Sequence, residues 1–81
     1  MPVVLRFEGY KFFFFSNEGT PREPVHVHVR KGDRVAKFWI EPRIELAESY
    51  GMAPRELTRL MRVVAANERL IRRAWHGFFG E

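Results

Sequence analysis

The run Val25-His26-Val27-His28-Val29 alternates apolar and polar side chains with a period of two, which a helix cannot accommodate without scattering the valines around its circumference. It therefore predicts a strand with one buried and one polar face. Two residues beyond it, Gly32-Asp33 offers a Gly-first pair suited to a tight hairpin turn, after which Arg34 to Ile40 resumes the alternation. In that register Val25, Val27 and Val29 oppose Ile40, Phe38 and Ala36. The other face pairs His26 with Trp39, His28 with Lys37 and Arg30 with Val35. A slip of one residue would exchange the faces, so the turn carries the assignment.

A second hairpin is predicted upstream, around Glu8-Gly9. Phe7, Leu5 and Val3 would face Tyr10, Phe12 and Phe14 on the buried side, leaving Val4, Arg6, Lys11, Phe13 and Phe15 on the other. The stretch from Ser16 to Pro24, with Asn17, Glu18, Gly19, Thr20 and two prolines, reads as the loop between the hairpins. Pro42 ends the fourth strand. Ile44 to Tyr50 is expected to be a short acidic helix closed by Gly51, and Pro54 opens a long helix to about Phe78. Its apolar residues Leu57, Leu60, Met61, Val64, Ile71, Trp75 and Phe78 form one stripe, with Arg55, Arg59, Arg62, Arg69 and Arg73 opposite. The expected fold class is α+β: a four-stranded antiparallel sheet of two hairpins, followed by a short helix and a long C-terminal helix packed on one face.

The length of 81 residues suits a single domain, residues 1–81, with a thin core. Without cysteine, neither disulfides nor thiolate metal sites supplement it, so apolar packing carries the stability. No apolar run is long enough to span a bilayer and no signal-peptide pattern opens the chain, so a cytoplasmic protein with no membrane association is expected. The net charge of +4 permits an anionic partner.

Three stretches together carry a family likeness: Arg6 to Phe13 with the following Ser16-Asn17-Glu18, Pro24 to Val29, and Ala36-Lys37-Phe38-Trp39. They resemble a family of small bacterial proteins of unknown function, the one numbered 4160, and the likeness covers nearly the whole chain. The family motif falls here on Gly9, Tyr10, Ser16, His26, His28, Lys37 and Trp39. The resemblance implies a toxin-antitoxin component, hence a protein partner and an RNA or operator target, and supplies no catalytic residues. Two departures are a longer loop between the hairpins and Ala53 in place of the helix-capping Ser common in the family.

The candidate site is the non-core sheet face: Arg6, Lys11, Phe13, Phe15, His26, His28, Arg30, Lys37 and Trp39. Cations for phosphate and aromatics for stacking are the mixture with which sheets bind single-stranded nucleic acid. The same composition suits a protein partner or a second copy of the chain. His26 and His28, two apart on a strand, point the same way and could together serve a metal or a proton transfer. Their predicted neighbours Trp39 and Lys37 supply no third ligand, and a cation opposes a metal. No catalytic, metal or cofactor site is therefore assigned. Ser16, Glu18 and His26 lie near one another in sequence, but no nucleophile-elbow context surrounds Ser16. The expected function is a small binding module acting with a partner protein, with RNA or DNA as a second ligand; the alternative is a small hydrolase or nuclease using His26 and His28.

Overall fold

A computed structural model describes residues 2–19 and 23–80. The strands are β1 (Val3–Phe7), β2 (Tyr10–Phe13), β3 (His26–Lys31), β4 (Arg34–Trp39) and β5 (Glu45–Tyr50), and the helices are α1 (Pro54–Ala66) and α2 (Glu68–Phe79). Every strand pairs antiparallel with its sequence neighbour, in the order β1-β2-β3-β4-β5. The sheet thus has five strands, not four.

The fifth strand replaces the expected short helix. Glu, Leu and Ala give the segment good helix propensity, but a helix there would leave the outer side of β4 without backbone partners. As a strand, the segment sets Tyr50 opposite Val35, Ser49 opposite Ala36, Glu48 opposite Lys37, Leu46 opposite Phe38 and Glu45 opposite Trp39. The shift in register between Glu48 and Leu46 leaves Ala47 as a bulge.

The β3–β4 hairpin has the expected register throughout. The β1–β2 hairpin keeps Phe7 opposite Tyr10 and Leu5 opposite Phe12, but Val3 lies opposite Phe13 rather than Phe14 because a bulge intervenes at Val4. The extra residue turns Val4 toward the core, and Val3 is left exposed. At the turn Glu8 and Gly9 both have positive φ, 47° and 87°, the backbone of a tight hairpin whose twist matches its strands. Glu8 takes this conformation against its own preference, and two contacts hold it: its carboxylate accepts from Arg59 of α1 and its carbonyl accepts from Lys31 Nζ at 3.2 Å. Ser16–Gly19 forms a 3₁₀ turn; Thr20 and Pro21, assigned to the same loop, lie outside the described residues.

The long helix is interrupted at one residue. Asn67 adopts φ −114°, ψ 20°, its backbone N–H is shared between the carbonyls of Val63 and Val64, and its Nδ2 donates to the Val63 carbonyl at 2.8 Å. An Asn side chain that bonds nearby backbone is a ready interruption. The apolar stripe survives it in the middle: Leu60 and Val64 from α1 and Ile71 and Trp75 from α2 are all fully buried on the sheet, whereas Phe78 at its end is exposed and Phe79 packs against the core instead. They meet Phe12, Phe14, Val25, Val27, Val29, Phe38 and Ile40, whose alternation fixes the helix-covered face. Trp75 is the bulkiest buried side chain, set edge-on to Phe14 at 5.2 Å between ring centroids. Arg72 ties α2 to the sheet, donating to Glu41 at 2.6 Å and to Glu68 at 2.8 Å. No helix among the described residues is long and apolar enough to cross a membrane.

Candidate functional site

The face turned away from the helices is ordered into cross-strand rows, because directly opposed residues project to the same side of a sheet. One row runs across all five strands: Arg6, Lys11, Arg30, Val35 and Tyr50. Its first three members are exposed cations on adjacent strands, and Tyr50 is 71% exposed. Like charges placed directly opposite one another are unfavourable, so this row is a poor arrangement for a surface that meets only water. The next row is Val3, Phe13, His28, Lys37 and Glu48, and the third begins His26, Trp39, Glu45.

The aromatic members are less open than the strand alternation suggests. Phe13 is 2% exposed although it lies on the outer face; His28 stacks on it at 5.6 Å and Phe15 meets it edge-on at 5.2 Å. His26 is fully buried. Its Nδ1 lies 2.9 Å from the Pro24 carbonyl, which makes Nδ1 the protonated nitrogen, and its ring contacts those of His28, Trp39 and Trp75. Trp39 is half-buried, with Lys37 Nζ 4.3 Å from its ring centroid, and Glu23 approaches Lys37 at 3.9 Å. Of the nine residues assigned to this face, Arg6, Lys11, Phe15 and Arg30 are exposed, His28, Lys37 and Trp39 are half-buried, and Phe13 and His26 are interior. Alternation reveals which side a residue takes, but not whether its neighbours cover it.

The rings of His26 and His28 lie 5.1 Å apart and nearly perpendicular, with no accessible surface on His26. Among the described residues no three His, Cys, Asp or Glu side chains gather to hold a metal. Ser16 is exposed on its 3₁₀ turn, and the Glu18 side chain lies outside the described residues.

Sequence reasoning missed the contribution of β5, which brings the carboxylates of Glu45 and Glu48 and the ring of Tyr50 to this same face. The usable signal was length: Pro42 and Gly51 bracket too few residues for an ordinary helix. It also missed a cluster on the helix side. Tyr10 donates its hydroxyl to Glu56 of α1, Arg34 donates to the same oxygen at 2.7 Å, and the Ala53 amide donates to the other at 3.2 Å. The Tyr10 bond, reinforced by the Ala53 amide and Arg34, holds the Glu56 carboxyl below its ordinary range, while that bond and burial push the Tyr10 phenol up.

The family model of the domain of unknown function DUF4160 matches residues 9–76. The chain belongs to the DUF4160 family. The matched span runs from the glycine of the first turn to His76 in α2, so it takes in the β2–β5 rows, the histidine strand and the Tyr10–Glu56 contact. No curated protein and no solved structure gives a match.

Proposed function

We propose that this DUF4160 chain is a binding module without catalytic activity of its own, acting through its open sheet face with a protein partner as a toxin-antitoxin component. The observation that carries the reading is the layout of that face. Exposed cations on β1, β2 and β3 stand at one side and carboxylates of β5 at the other, with exposed Val3, Phe15 and Tyr50 among them and no described helix covering them. Apolar side chains set within ordered charge are what a complementary protein surface recognises, the charges setting register and encounter rate. The burial of His26 weighs against the alternative of a hydrolase or nuclease built on His26 and His28.

Nucleic acid is a second reading, supported by the row of exposed cations Arg6, Lys11 and Arg30, which suits a phosphate backbone. Phe15 is then the side chain best placed to stack on a base, since Trp39 is capped by Lys37. Affinity capture from the native host with wild type, Tyr50→Ala, Lys11→Glu and a helix-side control, Arg62→Glu, tests the protein reading. A specific protein retained by wild type and by Arg62→Glu, and lost with Lys11→Glu and Tyr50→Ala, is the expected result. Retention by wild type and all three variants alike, or capture of no protein, would overturn it. Titration of labelled single strands at several salt concentrations tests the second reading; it requires Lys11→Gln to weaken binding and flatten the salt dependence.

A further inference from the structure

On the helix side, at the end of the sheet where both hairpins turn, α1 begins directly above Tyr10 of β2, Lys31 of β3 and Arg34 of β4. A cavity of about 560 Å³ opens between them, within the range of small-molecule sites. Lys31, Arg34, Arg55 and Arg59 line it, with Glu56 the one carboxylate among its lining residues. We propose that this cavity binds the phosphate group of a small phosphorylated ligand.

The charge balance supports this. Arg59 is matched by Glu8 and Arg34 by Glu56, which among the described residues leaves Lys31 and Arg55 in excess at the same cavity. Lys31 spends one donor on the Glu8 carbonyl and lies 4.8 Å from the Tyr10 ring centroid, held in place with no ion pair of its own among the described residues. Arg34 gives one of its five N–H donors to Glu56, so the rest of a fixed guanidinium fork remains for an anion. Glu56 acts as a positioning residue, since both its oxygens are occupied by Tyr10, Arg34 and Ala53. Gly51 makes room for this arrangement: at its φ of 78° a β-carbon would stand 3.2 Å from Arg34 Cγ. The Tyr10 ring and Pro54 give the cavity apolar lining, against which the organic part of a phosphomonoester can rest.

The test is an amide-resolved NMR titration of the whole chain with pyrophosphate and with adenosine monophosphate at fixed ionic strength. The expected result is saturable binding by both with Kd below about 1 mM, with shifts centred on Lys31, Arg34, Arg55 and Arg59. Lys31→Gln and Arg55→Gln should each weaken binding about fivefold or more, and Arg73→Gln, exposed on α2 away from the cavity, should leave it unchanged. Glu56→Gln keeps the acceptor for Tyr10 and Arg34 while deleting a negative charge, so it should tighten binding, which loss of a merely structural carboxylate would not do. The proposal falls if neither probe saturates by about 10 mM. It falls equally if the shifts follow Arg30 rather than Lys31, or if only an oligonucleotide produces them.

Discussion

Phe13→Ala separates a sheet face that is a platform from one that is partly interior. Phe13 projects away from the helices yet keeps only 2% of its surface, beneath His28 and Phe15. Removing a buried Phe costs about 3–5 kcal/mol, the transfer loss of the ring plus the void left behind. Phe15 is 39% exposed and can settle into that void, so the low end, about 3 kcal/mol, is expected here. Phe15→Ala itself should cost about 1 kcal/mol, because much of its ring already meets water. For a chain this short the larger figure is a sizeable part of a total of about 4–12 kcal/mol and lowers Tm by about 12–24 °C. Urea unfolding read by tryptophan fluorescence is the assay; the midpoint should fall with the slope unchanged. A Phe13→Ala variant within about 1 kcal/mol of wild type would mean that the ring is not packed as described, and would return it to the binding surface.

Two further outcomes are expected. The Tyr10–Glu56 pair should shape both ends of the stability–pH curve. With its folded pKa lowered, Glu56 stabilises fully above its unfolded value and loses that contribution as pH falls through the folded one. With its folded pKa raised, Tyr10 stabilises below its unfolded value and loses that as pH rises through the folded one. Tyr10→Phe should flatten both limbs in urea titrations at acid, neutral and alkaline pH, and unchanged limbs would refute the coupling. Ala53 has the extended backbone of an N-cap but no side-chain oxygen, so Ala53→Ser should raise stability by about 1 kcal/mol in thermal or urea unfolding, and no gain would show that the cap position is already satisfied.

The two hairpins were legible in the sequence because alternation and Gly-containing turns fix face and register, save where the bulge at Val4 moves Val3 from Phe14 to Phe13. Val27 lies opposite Phe38, and a one-residue slip would have parted them to opposite faces. The fifth strand was not legible, since Glu45, Leu46 and Ala47 favour a helix locally and only the free side of β4 decides otherwise. Asn67 was visible as a weak helix former, but an unbroken apolar stripe hid the interruption. The outer-face residues were assigned to the correct side except at the β1 bulge, which turns Val4 to the core and leaves Val3 outside. The covering of Phe13 and His26 depends on Phe15, Trp75 and the returning chain at Pro24, which pairing patterns do not describe. The cavity was out of reach for a plainer reason: Tyr10 and Glu56 are 46 residues apart, and Arg34 and Glu56 are 22 apart.

The bulges at Val4 and Ala47 fall on β1 and β5, the two outermost strands of an open meander. Each interrupts the regular row of outward N–H and C=O groups that another strand would need in order to add itself to the sheet. A chain with so many aromatic residues would otherwise present two templates for edge-to-edge aggregation. With both rims irregular, stacking into fibres is discouraged at either end, and association is directed through side chains on the faces, where sequence can choose the partner.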